Sequence, residues 1–270
     1  MSVPPIFALA AGGPTRRFLA LETSTDVLSV ALGSGAPGDP VWQHTGPGGA
    51  QASATLLPLV QSLLAQAGWT LHSLDAVVFG RGPGSFTGLR TACAVAQGLA
   101  YGAQNAARPA GVPVLAVDTL LALAEEARAA CTDEAQAVPG VVVALLDARM
   151  DELYVAPYAP GADGLRELAP PRLCAPQDLG AYLARALPQG ADPADVLLAG
   201  NVFAVYGERL ADVPGLRRAA LPTATALLRL APGLLAAGAA VAAQDALPLY
   251  VRDKVAQTTA ERDALRAAPP

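Results

Sequence analysis

From Phe18 the chain reads as short apolar runs punctuated by turn residues. In "FLALETSTDVLSVALG" two β-type runs flank Ser24, Thr25 and Asp26, whose side chains bond to nearby backbone and favour tight turns, so a hairpin is predicted. A third strand, "VWQHT", follows a Gly/Pro loop at 33–40. Leu56, Leu57, Val60, Leu63 and Leu64 then recur at the spacing of one helical face, and Gly68 stops that helix. Next come the strand "DAVVFG", the glycine-rich "GRGPGSFTGLR", and a helix running to about Gly102. "VPVLAV" is another strand, with Asp118 and Thr119 placed to cap the helix "LLALAEEARAAC".

The pattern then starts again. "PGVVVALLDARMDELYVAPYAP" carries two apolar β runs around "DARMDE", a second hairpin, and a Pro/Gly-rich loop follows it. After the loop come the helix "PQDLGAYLARAL", the strand "DVLLAGN", a short helix in "VYGERL", and a longer helix from about Thr223. Two successive units of hairpin, helix, strand and helix predict a duplicated mixed α/β fold with two lobes. The expected division gives residues 17–112 plus 223–250 to the first lobe and 113–222 to the second. Residues 1–16 are expected to be a disordered extension and 251–270 a polar, alanine-rich tail.

Composition narrows the function classes. Apolar residues make up 53% of 270 and charged residues 15%, enough to offset the ordering entropy of a folded core. A net charge of −5 argues against a stand-alone nucleic-acid binder with a basic face. Of 18 basic residues only Lys254 is a lysine, so a lysine-dependent mechanism has a single candidate near the C-terminus. Cys93, Cys131 and Cys174 form no C-x-x-C pair and read as buried thiols of a reducing cytosol. "LLRLAPGLLAAGAAVAA" is interrupted by Arg229 and Pro232 and is too short for a membrane span, so a soluble protein is expected.

Familiar catalytic patterns do not fit. The glycine-rich stretch has Ser85 and Thr87 where G-x-G-x-x-G needs glycine, and it lacks the lysine of a P-loop. Two readings stay open: a sharp turn with Ser85 or Thr87 capping the next helix, or a loose phosphate contact through backbone N–H groups at the helix start. His44 and His72 lack the spacing of a helical zinc site, and there is no G-x-S-x-G elbow. Asp147, Asp151 and Glu152 sit around Arg149 at the second hairpin turn and read as solvated charges. Glu22 ends a buried strand, where it either orients a bound water or accepts bonds from the turn after it. The residues assign no catalytic group and no metal ligand.

Four stretches, "LETSTDVLSVAL", "GRGPGSFTGLRTACAVAQGLAYG", "LDARMDELY" and "PLYVRDKVA", together resemble the TsaB (YeaZ) family from about Phe18 to Ala256. The resemblance implies the two-lobed ASKHA fold of actin, Hsp70 and sugar kinases. It implies a non-catalytic, cytoplasmic subunit that pairs with a TsaD-like catalytic subunit. With a TsaE-like ATPase, that complex transfers threonylcarbamoyl to N6 of adenosine 37 in ANN-decoding tRNAs, the tRNA being met only through the complex. It also implies a homodimer when alone, through a surface overlapping the TsaD-binding one. Two departures stand out: Glu22 replaces the usual aspartate of the first strand, and Ala52-Ser53 stands where relatives carry a His-[ST] pair.

By that resemblance the partner face lies on the two helices around the glycine motif. Its expected residues are Leu56, Val60, Leu63, Ser85, Phe86, Thr87, Leu89, Arg90, Cys93, Ala96, Gln97 and Ala100. Small residues along the second helix suit close helix approach, though they equally suit packing inside their own lobe. Any phosphate contact is expected at Glu22, Thr23, Ser24, Arg81, Gly82 and Gly84, for ATP or ADP at the partner interface; otherwise there is no cofactor. The alternative function is a metal- or nucleotide-dependent hydrolase, the former glycopeptidase assignment of the family.

Overall fold

A computed structural model describes residues 15–134, 136–161 and 164–252. The first half contains β1 (Phe18–Glu22), β2 (Val27–Gly33), β3 (Trp42–Pro47), α1 (Ala52–Ala67), β4 (Ala76–Gly82), α2 (Phe86–Gly102), β5 (Val114–Asp118) and α3 (Thr119–Asp133). The second contains β6 (Val141–Arg149), β7 (Glu152–Gly161), β8 (Gly164–Glu167), β9 (Arg172–Cys174), α4 (Leu179–Ala186), β10 (Val196–Gly200), α5 (Phe203–Tyr206), β11 (Leu216–Ala219) and α6 (Ala224–Ala236).

Both sheets follow one plan. The first has strand order β3-β2-β1-β4-β5, antiparallel through its hairpin and parallel from β1 outwards. The second runs β8-β7-β6-β10-β11, with β9 beside β8 on β7. Each half is therefore a hairpin extended by two parallel strands, the duplicated architecture expected from the sequence. Three short strands escaped that reading. β8, β9 and β11 have three or four residues each and are mostly exposed, so no buried alternation marks them.

The last helix of each half crosses to the other. α6 packs on the inner face of the first sheet, burying Ala224, Leu227, Leu228, Ala231 and Leu235 against Phe18, Ala20, Ala76 and Val78. α3 packs Leu120, Leu123, Ala124 and Ala127 against Val142, Ala144 and Leu197 of the second. The two helices are joined by Glu125, which is buried and accepts from Arg128 and Arg229, and by Glu126, which accepts from Arg229 and Thr223. The expected boundary at 113 is one strand too early, because Val114–Asp118 pairs in parallel with β4 inside the first sheet. Of the expected extension and tail, residues 1–14 and 253–270 lie outside the described residues.

Candidate functional site

The glycine motif packs against the β1–β2 turn. A Cβ at Gly88 would lie 1.9 Å from the Thr23 carbonyl oxygen, and one at Gly84 2.6 Å from that of Ser24. Hydrogen bonds occupy this close approach: Ser85 N donates to Ser24 O at 2.7 Å, and Thr23 Oγ1 to Gly88 O at 2.7 Å. Only Gly82 needs a positive φ, +123°, and there the Leu249 carbonyl passes so close that a Cβ would come within 2.4 Å. Ser85 caps α2, accepting from Gly88 N at 3.4 Å. The motif is a rigid strand–turn–helix corner.

Glu22 settles its own question. The residue is fully buried; Oε1 accepts from Ser24 N at 2.7 Å, and the carboxyl fills the space left by the missing side chain of Gly80. Burial pushes this carboxyl above its ordinary value, opposed by the contacts with Ser24 and Thr23. Oε2 has no hydrogen-bond partner. The longer side chain thus turns into the fold, accepting from the turn after it.

Most of the expected phosphate residues meet at this corner, with their side chains engaged within the fold. Glu22 and Thr23 are wholly buried, Ser24 is nearly so, and Arg81 is spent on Asp118 at 2.5 Å. That pair also corrects the expected α3 cap: Asp118 occupies the N-cap position without a side-chain cap bond, and Thr119 Oγ1 accepts from Gly82 N. A cavity of about 320 Å³ does lie between the two hairpin turns, lined by Ser24, Asp26, Ser85, Asp147, Arg149 and Arg252. Its arginines are compensated: Arg149 pairs with Asp26 across the lobes at 2.8 Å and with Asp147 at 3.2 Å, and Arg252 pairs with Glu152 at 2.7 Å. Arg149, Met150 and Asp151 all adopt left-handed backbone, held by Asp147 Oδ1 on Arg149 N and by the Arg209–Asp151 pair. Among the described residues no group of three or more His, Cys, Asp or Glu is arranged to hold a metal.

The outer faces of α1 and α2 have a different character. The sixteen residues of α1 include no charged side chain, and the seventeen of α2 only Arg90. A surface helix normally opposes its buried stripe with charge. Here α1 exposes Ala54, Leu57, Pro58, Gln61 and Ala65, and α2 exposes Thr87, Ala94, Gly98, Tyr101 and Gly102. Tyr101 is 64% exposed. A Cβ at Gly98 or Gly102 would meet nothing within 4 Å, so neither glycine is needed for packing within the lobe. Glycine inside a helix costs about 1 kcal/mol relative to alanine. Their place has no account inside this chain.

Seven of the twelve expected face residues point inwards. Leu56, Val60, Leu63, Leu89, Cys93, Ala96 and Ala100 are buried in the lobe's own core, where α1 and α2 pack on the first sheet. Ser85 and Gln97 are half-buried, and Phe86, Thr87 and Arg90 are exposed. The sequence signal that finds the outer row was present: the absence of charge around both helices, with glycine at a four-residue interval.

Comparison with known proteins adds the following. A family model described as "TsaD: tRNA N6-adenosine threonylcarbamoyltransferase" matches residues 47–260. The tRNA threonylcarbamoyladenosine biosynthesis protein TsaB of Haemophilus influenzae is 40% identical over 139 residues, covering 50% of this chain and 51% of that protein. That of Escherichia coli is 36% identical over 151 residues, covering 55% and 58%. The chain spans about half the length of the curated relatives it matches. The solved structure of YeaZ from Pseudomonas aeruginosa superposes with a TM-score of 0.70 at 36% identity, over 87% of this chain and 99% of that one. The two mixed sheets with flanking helices are the α/β architecture of that solved structure. No helix among the described residues is long and apolar enough to cross a membrane.

Proposed function

The chain belongs to the TsaB (YeaZ) family, and from that premise we propose that it is an accessory subunit of a cytoplasmic tRNA threonylcarbamoyl transferase complex. It pairs with a TsaD-like catalytic subunit through the outer faces of α1 and α2, with a TsaE-like ATPase as third component. The complex acts on N6 of adenosine 37 in ANN-decoding tRNAs. Alone, the chain uses the same face to form a homodimer.

The observation that carries this reading is the outer face itself. Two adjacent surface helices with one charge between them, and two exposed glycines that nothing in the chain requires, suit a second helical pair approaching closely. The pocketed carboxylate of Glu22 and the compensated arginines of the cleft give the hydrolase alternative no matching support. The test is reconstitution with the cognate TsaD-like and TsaE-like proteins, a threonylcarbamoyl donor and tRNA, with modified nucleoside measured by mass spectrometry. Modification is expected only when this chain is present; equal modification without it overturns the proposal.

A further inference from the structure

Beside the first turn of α2 lies a groove of about 380 Å³ whose far wall is the segment 249–252. Its lining is apolar, from Pro83, Phe86, Leu89, Leu249 and Val251, and Arg90 and Arg252 stand at its sides. The two arginines differ. Arg252 is paired with Glu152. Arg90 lies 3.9 Å over the Phe86 ring and its Nε donates to the Tyr250 hydroxyl at 3.1 Å, both neutral partners; no carboxylate pairs with it among the described residues. The first turn of α2 holds no acidic side chain either, so the positive end of the helix adds to the uncompensated charge.

The wall is already in place. Leu249 N donates to Arg81 O at 2.7 Å, Ala246 O accepts from Gln97 Nε2 at 2.9 Å, and Arg252 reaches Ala148 O at 3.1 Å in the other lobe. A groove that needs no ordering retains more of its contact energy on binding. Phe86 and Tyr250, stacked 5.3 Å apart, are both exposed and continue the uncharged face of α2. Tyrosine, phenylalanine and arginine are the residue types enriched where interfaces are anchored.

We propose that this groove seats an acidic and apolar segment of the TsaD-like partner, one carboxylate pairing with Arg90 and one apolar side chain entering beside Phe86 and Val251. The inference rests on the reading of α1 and α2 as the partner face, and it adds the C-terminal segment as a further wall of that face. Charge complementarity selects the occupant: an apolar floor alone would take any hydrophobe, and the unpaired guanidinium asks for a carboxylate.

The test is calorimetric titration of the full chain with its cognate TsaD-like subunit at two salt concentrations. Arg90→Ala is expected to weaken pairing about tenfold to a hundredfold, the value of a charge-assisted bond, and to flatten the salt dependence. Arg90→Lys keeps that dependence, which loss of the ring stack alone would not predict. If Arg90→Ala binds as wild type while Gly98→Arg does not, the groove is not used and the helical face stands. If both bind as wild type, both readings fall. A photo-reactive benzoylphenylalanine at position 86 identifies the occupant. In the isolated one-to-one complex, cross-linking to an acidic segment of the TsaD-like subunit supports the proposal; cross-linking there to residues 253–270, or to no acidic segment of that subunit, overturns it.

Discussion

The two halves of the molecule are built to one plan and diverge at their helices. In the first half β4 leads through the glycine corner into α2, seventeen residues long. In the second half β10 leads into α5, four residues long. Both begin alike, with a glycine against the hairpin's first strand: Gly80 beside Glu22, Gly200 beside the Leu145 carbonyl. In the second half the chain then folds inwards. Val202, Tyr206 and Leu210 are buried, and the Tyr206 hydroxyl reaches Asp147 at 2.9 Å. The helices before these diverge as well: α1 carries no charge, whereas α4 exposes Arg185. One copy of the unit has spent its helices on its own core, and the other keeps a second face free.

The sharpest way to break this contrast is to charge the two rows of α2 separately. Ala100→Arg places a guanidinium where exposure is zero and is expected to cost more than about 4 kcal/mol, seen as loss of the cooperative melt by circular dichroism. Gly98→Arg, two residues away on the outer row, leaves the melt near wild type. The glycines divide the same way. Gly88→Ala meets the Thr23 carbonyl at 1.9 Å and is expected to destabilise by about 3 kcal/mol, whereas Gly98→Ala stabilises the helix by about 1 kcal/mol. Chemical denaturation of both variants reads the opposite signs; two losses of similar size would erase the distinction between the rows.

Smaller effects probe the corner and the cleft. The carboxyl of Glu22 is raised by burial, so the folded state holds its proton more tightly than the unfolded chain does. Its contribution is fully present below the ordinary carboxylate range and is lost as pH rises through the folded value. Glu22→Gln removes that slope, so melting temperatures of the variant and wild type should diverge as pH rises from about 4.5. Parallel curves would mean the carboxyl is not held as described. Asp26→Ala breaks the pair between the lobes. Both of its side chains are more than two-thirds exposed, and the change is expected to cost under about 0.5 kcal/mol and to vanish in 0.5 M salt.

Much of the fold was legible in the chain because its buried strands and helices carry their own periodicity: Leu56, Val60 and Leu63 one turn apart, and a hairpin announced by Ser24-Thr25-Asp26. The short edge strands were not, since β8 and β11 are defined by pairing and not by buried side chains. The helices of the candidate site were legible, and which of their residues face outwards was not. Apolarity marks a helix as having something to hide; on a helix that is apolar almost all round, only the sheet beneath decides that Ala96 and Ala100 go inwards and Ala94 and Gly98 out. The glycine motif was ambiguous for a related reason. Glycines that admit a phosphate and glycines that admit a neighbouring turn look identical in sequence, and here Thr23 and Ser24 occupy the space.

The most direct test is light scattering after size exclusion, on the chain alone and mixed with its cognate TsaD-like subunit, for wild type and Gly98→Arg. The expected result is a wild-type dimer that gives way to a one-to-one heterodimer, and a variant that stays folded and monomeric in both runs. A wild-type chain that ignores the partner even with the TsaE-like ATPase and ATP present, or a Gly98→Arg variant that pairs normally, would contradict it.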